Sequence, residues 1–150
     1  MVIRKAESKD LERIQQLNND LFDLEIENFD EYLVKDWPLS SEGKEYFANA
    51  IKENVVFVAE ENDVVLGYIL GEEVAIPYYN FKIAELCNMC VDNRYRNKGV
   101  GKALYGEFES YFKSIGINRF MVTASFKNDS AKAFYKRMGF KEGNVTFTKF

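Results

Sequence analysis

The sequence predicts an α+β domain in which one mixed β-sheet is flanked by helices, in the order β-α-α-β-β-β-α-β-α-β. Three observations lead there. The hydrophobic period switches repeatedly between about 3.6 and 2 residues along the chain, which is the signature of alternating helices and strands. A basic, glycine-containing loop at Arg96–Gly101 separates a β-type run from a strongly helical one. The 150 residues, 47% of them hydrophobic, suit one compact domain over 1–150, since a chain of this size buries roughly 70% of its unfolded surface without a staple.

Val2–Ala6 reads as a short first strand. Ser8 is placed to cap the helix that follows, with Asp10 and Glu12 in its first turn favouring the positive end of the dipole. Leu11, Ile14, Leu17 and Leu21 keep helical spacing, Trp37-Pro38 breaks the pattern, and a second helix is expected over about Glu42–Lys52. Val55–Glu60 and Val64–Leu70 are β runs joined by Glu61-Asn62-Asp63, a hairpin signal. Pro77–Asn80 marks a loop, and Lys82–Val91 a further strand. Lys102–Ile115 carries Leu104, Phe108, Tyr111, Phe112 and Ile115 on one helical face. A strand at Arg119–Ser125, a helix at Ser130–Met138 and a last strand at Val145–Phe150 complete the order.

Composition excludes several classes. No apolar run approaches the roughly 20 residues that span a bilayer, and no leader-like segment opens the chain; a soluble, cytoplasmic protein without a membrane partner is expected. Cys87 and Cys90 form C-x-x-C, but the chain has no histidine and no other cysteine, so a four-ligand zinc site cannot be completed. The pair also lies in a strand, where residues three apart face opposite ways. No metal is expected. Residues 91–150 carry 12 basic and 5 acidic side chains, while residues 1–90 have a net charge of −11. The basic segment suits an anionic ligand and the acidic one a cationic ligand. With a pI near 5.0 and no nucleic-acid motif, a nucleic-acid partner is not expected.

The sharpest local signal is Arg96-Asn97-Lys98-Gly99-Val100-Gly101, between a strand and a helix. Glycines let backbone approach a ligand closely, and a helix N-terminus offers unpaired N–H groups to an anion. The Walker string G-x-x-x-x-G-K-[ST] is absent, and Leu104 stands where a dinucleotide fingerprint needs its third glycine. What remains, R-x-x-G-x-G within Val91–Leu104, resembles the signature of the GNAT acetyltransferases. Asn93 and Asn97 replace the Pro and Gly often found there; Asn tolerates left-handed backbone, so the loop is not compromised. Downstream, Asn128-Asp129-Ser130-Ala131-Lys132-Ala133-Phe134-Tyr135-Lys136-Arg137-Met138-Gly139-Phe140 resembles the same family's N-x-x-A-x-x-x-Y-x-x-x-G-F segment at every anchor.

The resemblance implies acetyl-CoA as cosubstrate. It assigns the pantetheine arm to the backbone of Met89, Cys90 and Val91, and the pyrophosphate to the loop Arg96, Asn97, Lys98, Gly99, Val100, Gly101 and Lys102. Asn128 would contact the cofactor arm, and Tyr135 would lie near the sulfur as general acid. An amine of pKa ~10.4 must give up a proton before it attacks, at about 4.6 kcal/mol at neutral pH. Some family members carry a catalytic Glu on the strand where Glu85 stands, which makes Glu85 the candidate base; a solvent-facing strand residue is the alternative.

Asp20, Asp23, Glu25, Glu27, Asp30, Glu31 and Asp36 concentrate acid in residues 20–36 against the single base Lys35. By the resemblance this region lines the acceptor side, so the expected acceptor is a cationic small-molecule or peptide amine: a polyamine, an aminoglycoside-like amine or a basic terminus. A solvated helix face remains the simpler reading of those acids. A homodimer is expected by analogy, and a non-catalytic acyl-CoA-binding module on the same fold is the alternative function.

Overall fold

The computed structural model describes residues 1–150. Five strands, β1 (Val2–Lys5), β2 (Val55–Glu61), β3 (Val64–Ala75), β4 (Lys82–Val91) and β5 (Phe120–Val122), form one sheet in sequence order. The first four pair antiparallel and β5 runs parallel to β4. The β2–β3 turn needs only Asn62 and Asp63, both at positive φ (51° and 62°), the pairing that suits a two-residue hairpin to the strands' twist.

Helices α1 (Leu11–Asn28) and α2 (Ser41–Glu53) cover one face of the sheet. Ile14 and Leu17 of α1 and Phe47 and Ala50 of α2 meet Val56, Val58, Tyr68, Leu70 and Cys90 in one core. The start of α1 is organised by Asp10 rather than Ser8. Its buried carboxylate accepts from the Glu7 backbone N–H at 2.8 Å and takes both arms of the Arg4 guanidinium at 2.8 and 2.9 Å. Ser40 caps α2, its hydroxyl accepting from the Gly43 N–H at 3.1 Å.

The other face carries α3 (Val100–Ser114) and α4 (Asp129–Arg137). Leu104, Phe108 and Phe112 of α3 are fully or almost fully buried against Phe57, Ile69, Ala84 and Leu86, each such side chain contributing about 1.5–3 kcal/mol. Ile115, expected on that face, lies past the helix end and is exposed. No helix is long and apolar enough to cross a membrane.

The C-terminal third departs from the expected pattern. β5 is three residues long instead of seven, and Val145–Phe150 forms no strand; residues 141–150 are irregular and exposed. β-propensity needs a partner edge to act on. The free edge of β5 offers only Phe120–Val122, and the tail's Phe150 instead packs on Tyr32, ring centroids 4.8 Å apart.

Candidate functional site

Two irregularities in β4 create the site. On the β3 side, Leu70 pairs with Asn88 and Gly71 with Leu86, so Cys87 is an extra, bulged residue. The strands can close around it because position 71 is glycine: a Cβ there would stand 2.3 Å from the Phe108 ring and 2.4 Å from the Glu85 carbonyl. On the other side, the pairing with β5 ends at Leu86↔Val122. β4 runs on to Val91, so its edge from Cys87 onward lacks a partner strand and opens as a wedge.

A cleft of about 940 Å³ fills that wedge. Its floor is Met89, Cys90 and Val91, the residues to which the resemblance assigns the pantetheine arm. One end is the loop, with Arg96, Asn97, Gly99, Val100, Gly101 and Lys102 all lining it. Asn97 (φ 60°) and Gly99 (φ 81°) adopt left-handed backbone, which turns successive N–H groups inward. Gly99 precedes α3 without any side-chain cap, and no acid sits in the helix's first turn, so the positive end of the dipole faces the cleft. A Cβ on Gly101 would come within 3.1 Å of Met89 Cε and 3.3 Å of the Phe134 ring; the hollow exists because glycine is there.

Two predicted residues stand elsewhere. The Lys98 ammonium lies over the Tyr95 ring, 5.5 Å from its centroid, and its residue does not line the cleft. Glu85 also lies outside the cleft wall. It faces Glu72, its direct partner on β3, and Cys87, with the ligand-type atoms of all three within 4.8 Å of one another. Partial shielding from solvent, then Glu72 and Glu85, push the Cys87 thiol up to about 12, and burial pushes Cys90 up to about 11. Cys87 is exposed and Cys90 buried, and both are free thiols.

Asn128 and Tyr135 reach the cleft from the C-terminal side. Asn128 also caps α4, its Oδ1 accepting from the Ala131 N–H at 3.0 Å. The Tyr135 phenol is pushed up to about 12, first by burial and then by the nearby Glu25 carboxylate. The opposite wall, in the region the resemblance put on the acceptor side, is Leu21, Leu24, Asn28 and Phe29 from α1 and its end. Leu21, Leu24, Glu25 and Asn28 share one helical stripe. Of the seven acids in 20–36, only Glu25 is half-buried and the other six are exposed; burial, then Asp30, raise its carboxyl above the ordinary value.

Hydrogen bonds brace the strand below the cleft. Arg96 Nε donates to the Val91 carbonyl at 3.1 Å. Asp92, almost fully buried, accepts from the Arg94 side chain (2.8 and 3.1 Å) and from Arg13 of α1 (2.5 Å). Arg94 first, then Arg13, hold its carboxyl well below the usual range. Deeper, Asn18 Nδ2 donates to the Tyr68 hydroxyl at 2.9 Å and to Asn88 Oδ1 at 3.0 Å, while Tyr68 donates to the same Oδ1. The Tyr68 phenol is fully buried and its pKa is raised well above the ordinary value by that burial.

The acetyltransferase (GNAT) family profile matches residues 4–140. An uncharacterized N-acetyltransferase of Chlorobaculum tepidum is 34% identical over 87 residues, 57% of this chain and only 49% of that protein. An uncharacterized N-acetyltransferase of Methanocaldococcus jannaschii is 27% identical over 143 residues, covering 95% of this chain and 79% of that one. Among solved structures, aminoglycoside N-acetyltransferase AAC(6')-Iy in complex with CoA superposes with a TM-score of 0.73 at 17% identity, covering 99% of this chain and 98% of that one.

Proposed function

The chain belongs to the acetyltransferase (GNAT) family, and from that membership we propose that it transfers an acetyl group from acetyl-CoA directly to a cationic primary amine. The observation that carries this reading is one continuous cleft. It runs from the uncapped start of α3, along the unpaired edge of β4, to Tyr135.

Each part of the cosubstrate meets a suitable group. The backbone of residues 96–102 surrounds the pyrophosphate, where each N–H to a charged oxygen contributes about 1.5–3 kcal/mol. Met89–Val91 receive the pantetheine arm as a neighbouring strand would be received, once Arg96 leaves the Val91 carbonyl for the phosphates. Asn128 contacts the arm from the opposite side.

The amine nitrogen adds to the thioester carbonyl, the C–S bond breaks, and the ammonium proton formed on addition ends on sulfur. Full transfer from a phenol at about 12 to a thiolate whose thiol titrates near ~8.5 is uphill by about 4.8 kcal/mol. Tyr135 therefore acts as a hydrogen-bond donor that relays the amine's proton. Glu85, which stands outside the cleft wall, takes the first proton from the incoming ammonium through water, and Glu25, beside Tyr135, attracts the acceptor's positive charge. Orientation of the two substrates supplies up to about 7–11 kcal/mol, leaving a modest share to acid–base groups. The same reading has the protein working in the cytoplasm, as a homodimer.

The test is CoA release from acetyl-CoA across polyamines, aminoglycosides, amino acids and short basic peptides. Turnover on one class, reduced in Tyr135→Phe, supports the proposal and names the acceptor. Acetyl-CoA binding without turnover on any amine would identify an acyl-CoA-binding module instead.

A further inference from the structure

We propose that Asn88 positions the acyl group, its side-chain amide donating a hydrogen bond to the thioester carbonyl oxygen. This rests on the acetyl-transfer reading and adds to it a residue that neither the sequence motifs nor the family resemblance marks.

The orientation of the amide follows from its partners. Asn18 Nδ2 spends its two hydrogens on the Tyr68 hydroxyl and on Asn88 Oδ1, and Tyr68 gives its only hydrogen to that same oxygen. Rotating the Asn88 amide by half a turn would set two amide nitrogens against each other at 3.0 Å. Oδ1 is thus held inward, and Nδ2 must point away from the core. There it donates to no protein group, yet it is not among the buried atoms left without a partner; the single such atom is Asn19 Oδ1. Asn88 is half-buried, so its two N–H donors face open space.

Asn88 does not itself line the cleft, but it stands one residue beyond Met89, toward the closed end of the wedge. Val91, Cys90 and Met89 line the cleft in turn as β4 leads away from the phosphate loop. Asn88 is next, just before the bulge at Cys87 and the last β4–β5 pair, Leu86↔Val122. It lies on the same strand face as Cys90, two residues on, and its partner Asn18 lies one turn before Leu21 of the cleft wall. An arm laid along β4 from the loop therefore ends its acyl group beside Asn88. A donor held by two buried partners pays no reorganisation when the carbonyl oxygen gains charge, which is the condition for preferential transition-state stabilisation.

Asn88→Asp tests this while keeping an oxygen for Asn18 and Tyr68; Asn88→Leu repeats it without charge. The measurements are kcat, CoA affinity, thermal midpoint and the carbonyl stretch of isotope-labelled acetyl-CoA bound to the protein. We expect kcat to fall by about tenfold to a hundredfold and CoA affinity to hold within about twofold. The carbonyl band should move toward its position in free acetyl-CoA. Tyr68→Phe, which loosens the amide, should move the band the same way by less. A wild-type carbonyl band in Asn88→Asp overturns the inference, whatever happens to kcat, because a purely structural role leaves that band alone. Acetyl-CoA that binds normally but is not turned over would sink the transferase reading while the band still decides this one. Failure of wild-type protein to bind acetyl-CoA would sink both.

Discussion

Arg13 Nη2 donates to Asp92 Oδ2 at 2.5 Å, joining residues 79 positions apart in the chain. The contact ties α1, one wall of the cleft, to the turn that leads from β4 into the Arg96–Gly101 loop. The two walls are therefore set relative to each other by one buried carboxylate.

Asp92→Asn should destabilise the protein by about 1–3 kcal/mol, since Arg13 and Arg94 lose a charged acceptor. Asp92's carboxyl titrates below its ordinary value in the folded state. Its contribution is thus present above the unfolded pKa and is lost as pH falls through the folded one. Denaturation followed between about pH 5 and pH 2 should show a weaker acid dependence in the variant than in wild type. Parallel curves would contradict this account.

Gly99 and Gly101 should fail differently. Gly99→Ala meets nothing within 4 Å but keeps φ at +81°, so it should lose about 1–2 kcal/mol of stability through backbone strain. Gly101→Val fills the hollow beside Met89 and Phe134 and should weaken CoA binding by about tenfold or more, equivalent to at least ~1.4 kcal/mol. Calorimetric titration with CoA, alongside thermal midpoints, separates the two effects.

Glu25→Gln should raise the acceptor KM by about tenfold, a loss of ~1.4 kcal/mol, with acetyl-CoA KM unchanged. Asp23→Asn combined with Glu27→Gln, both exposed, should change neither. Equal effects from the two sets of substitutions would show a diffuse surface field in place of a single contact.

Glu85→Gln should lower kcat by about a hundredfold, the usual scale for a positioned base, and leave CoA affinity intact. A wild-type kcat would reassign proton removal to solvent or to another carboxylate.

The order of the first nine elements and the course of the cleft were legible in the chain because local signals set them. Period and turn signals place the elements, and the resemblance carried by two motifs singles out Met89–Val91, Gly99–Gly101, Asn128 and Tyr135 with no knowledge of distant contacts. What local pattern could not supply was partnership. Val145–Phe150 alternates like a strand but finds only three residues of free edge. Glu25 looks like its six acidic neighbours until the helix phase turns it toward the cleft. Asn88 reads as an ordinary strand residue, since its two fixing partners lie 70 and 20 positions away. Lys98 sits inside the motif, yet its flexible side chain goes to Tyr95.

The break in pairing after Leu86↔Val122 also bears on how the empty protein should behave. A strand edge without a neighbour stays hydrated and breathes, so within the sheet amide exchange should be fastest along Cys87–Val91 and β5 and slow across β2 and β3. On the proposed function, CoA laid into that gap would act as a missing strand. At a hundredfold excess over its dissociation constant it should add about 2.7 kcal/mol to folding stability, gathered where the sheet is weakest. The proposed cosubstrate would then also be a structural part of the domain, and the protein's heat resistance inside a cell would track its CoA supply.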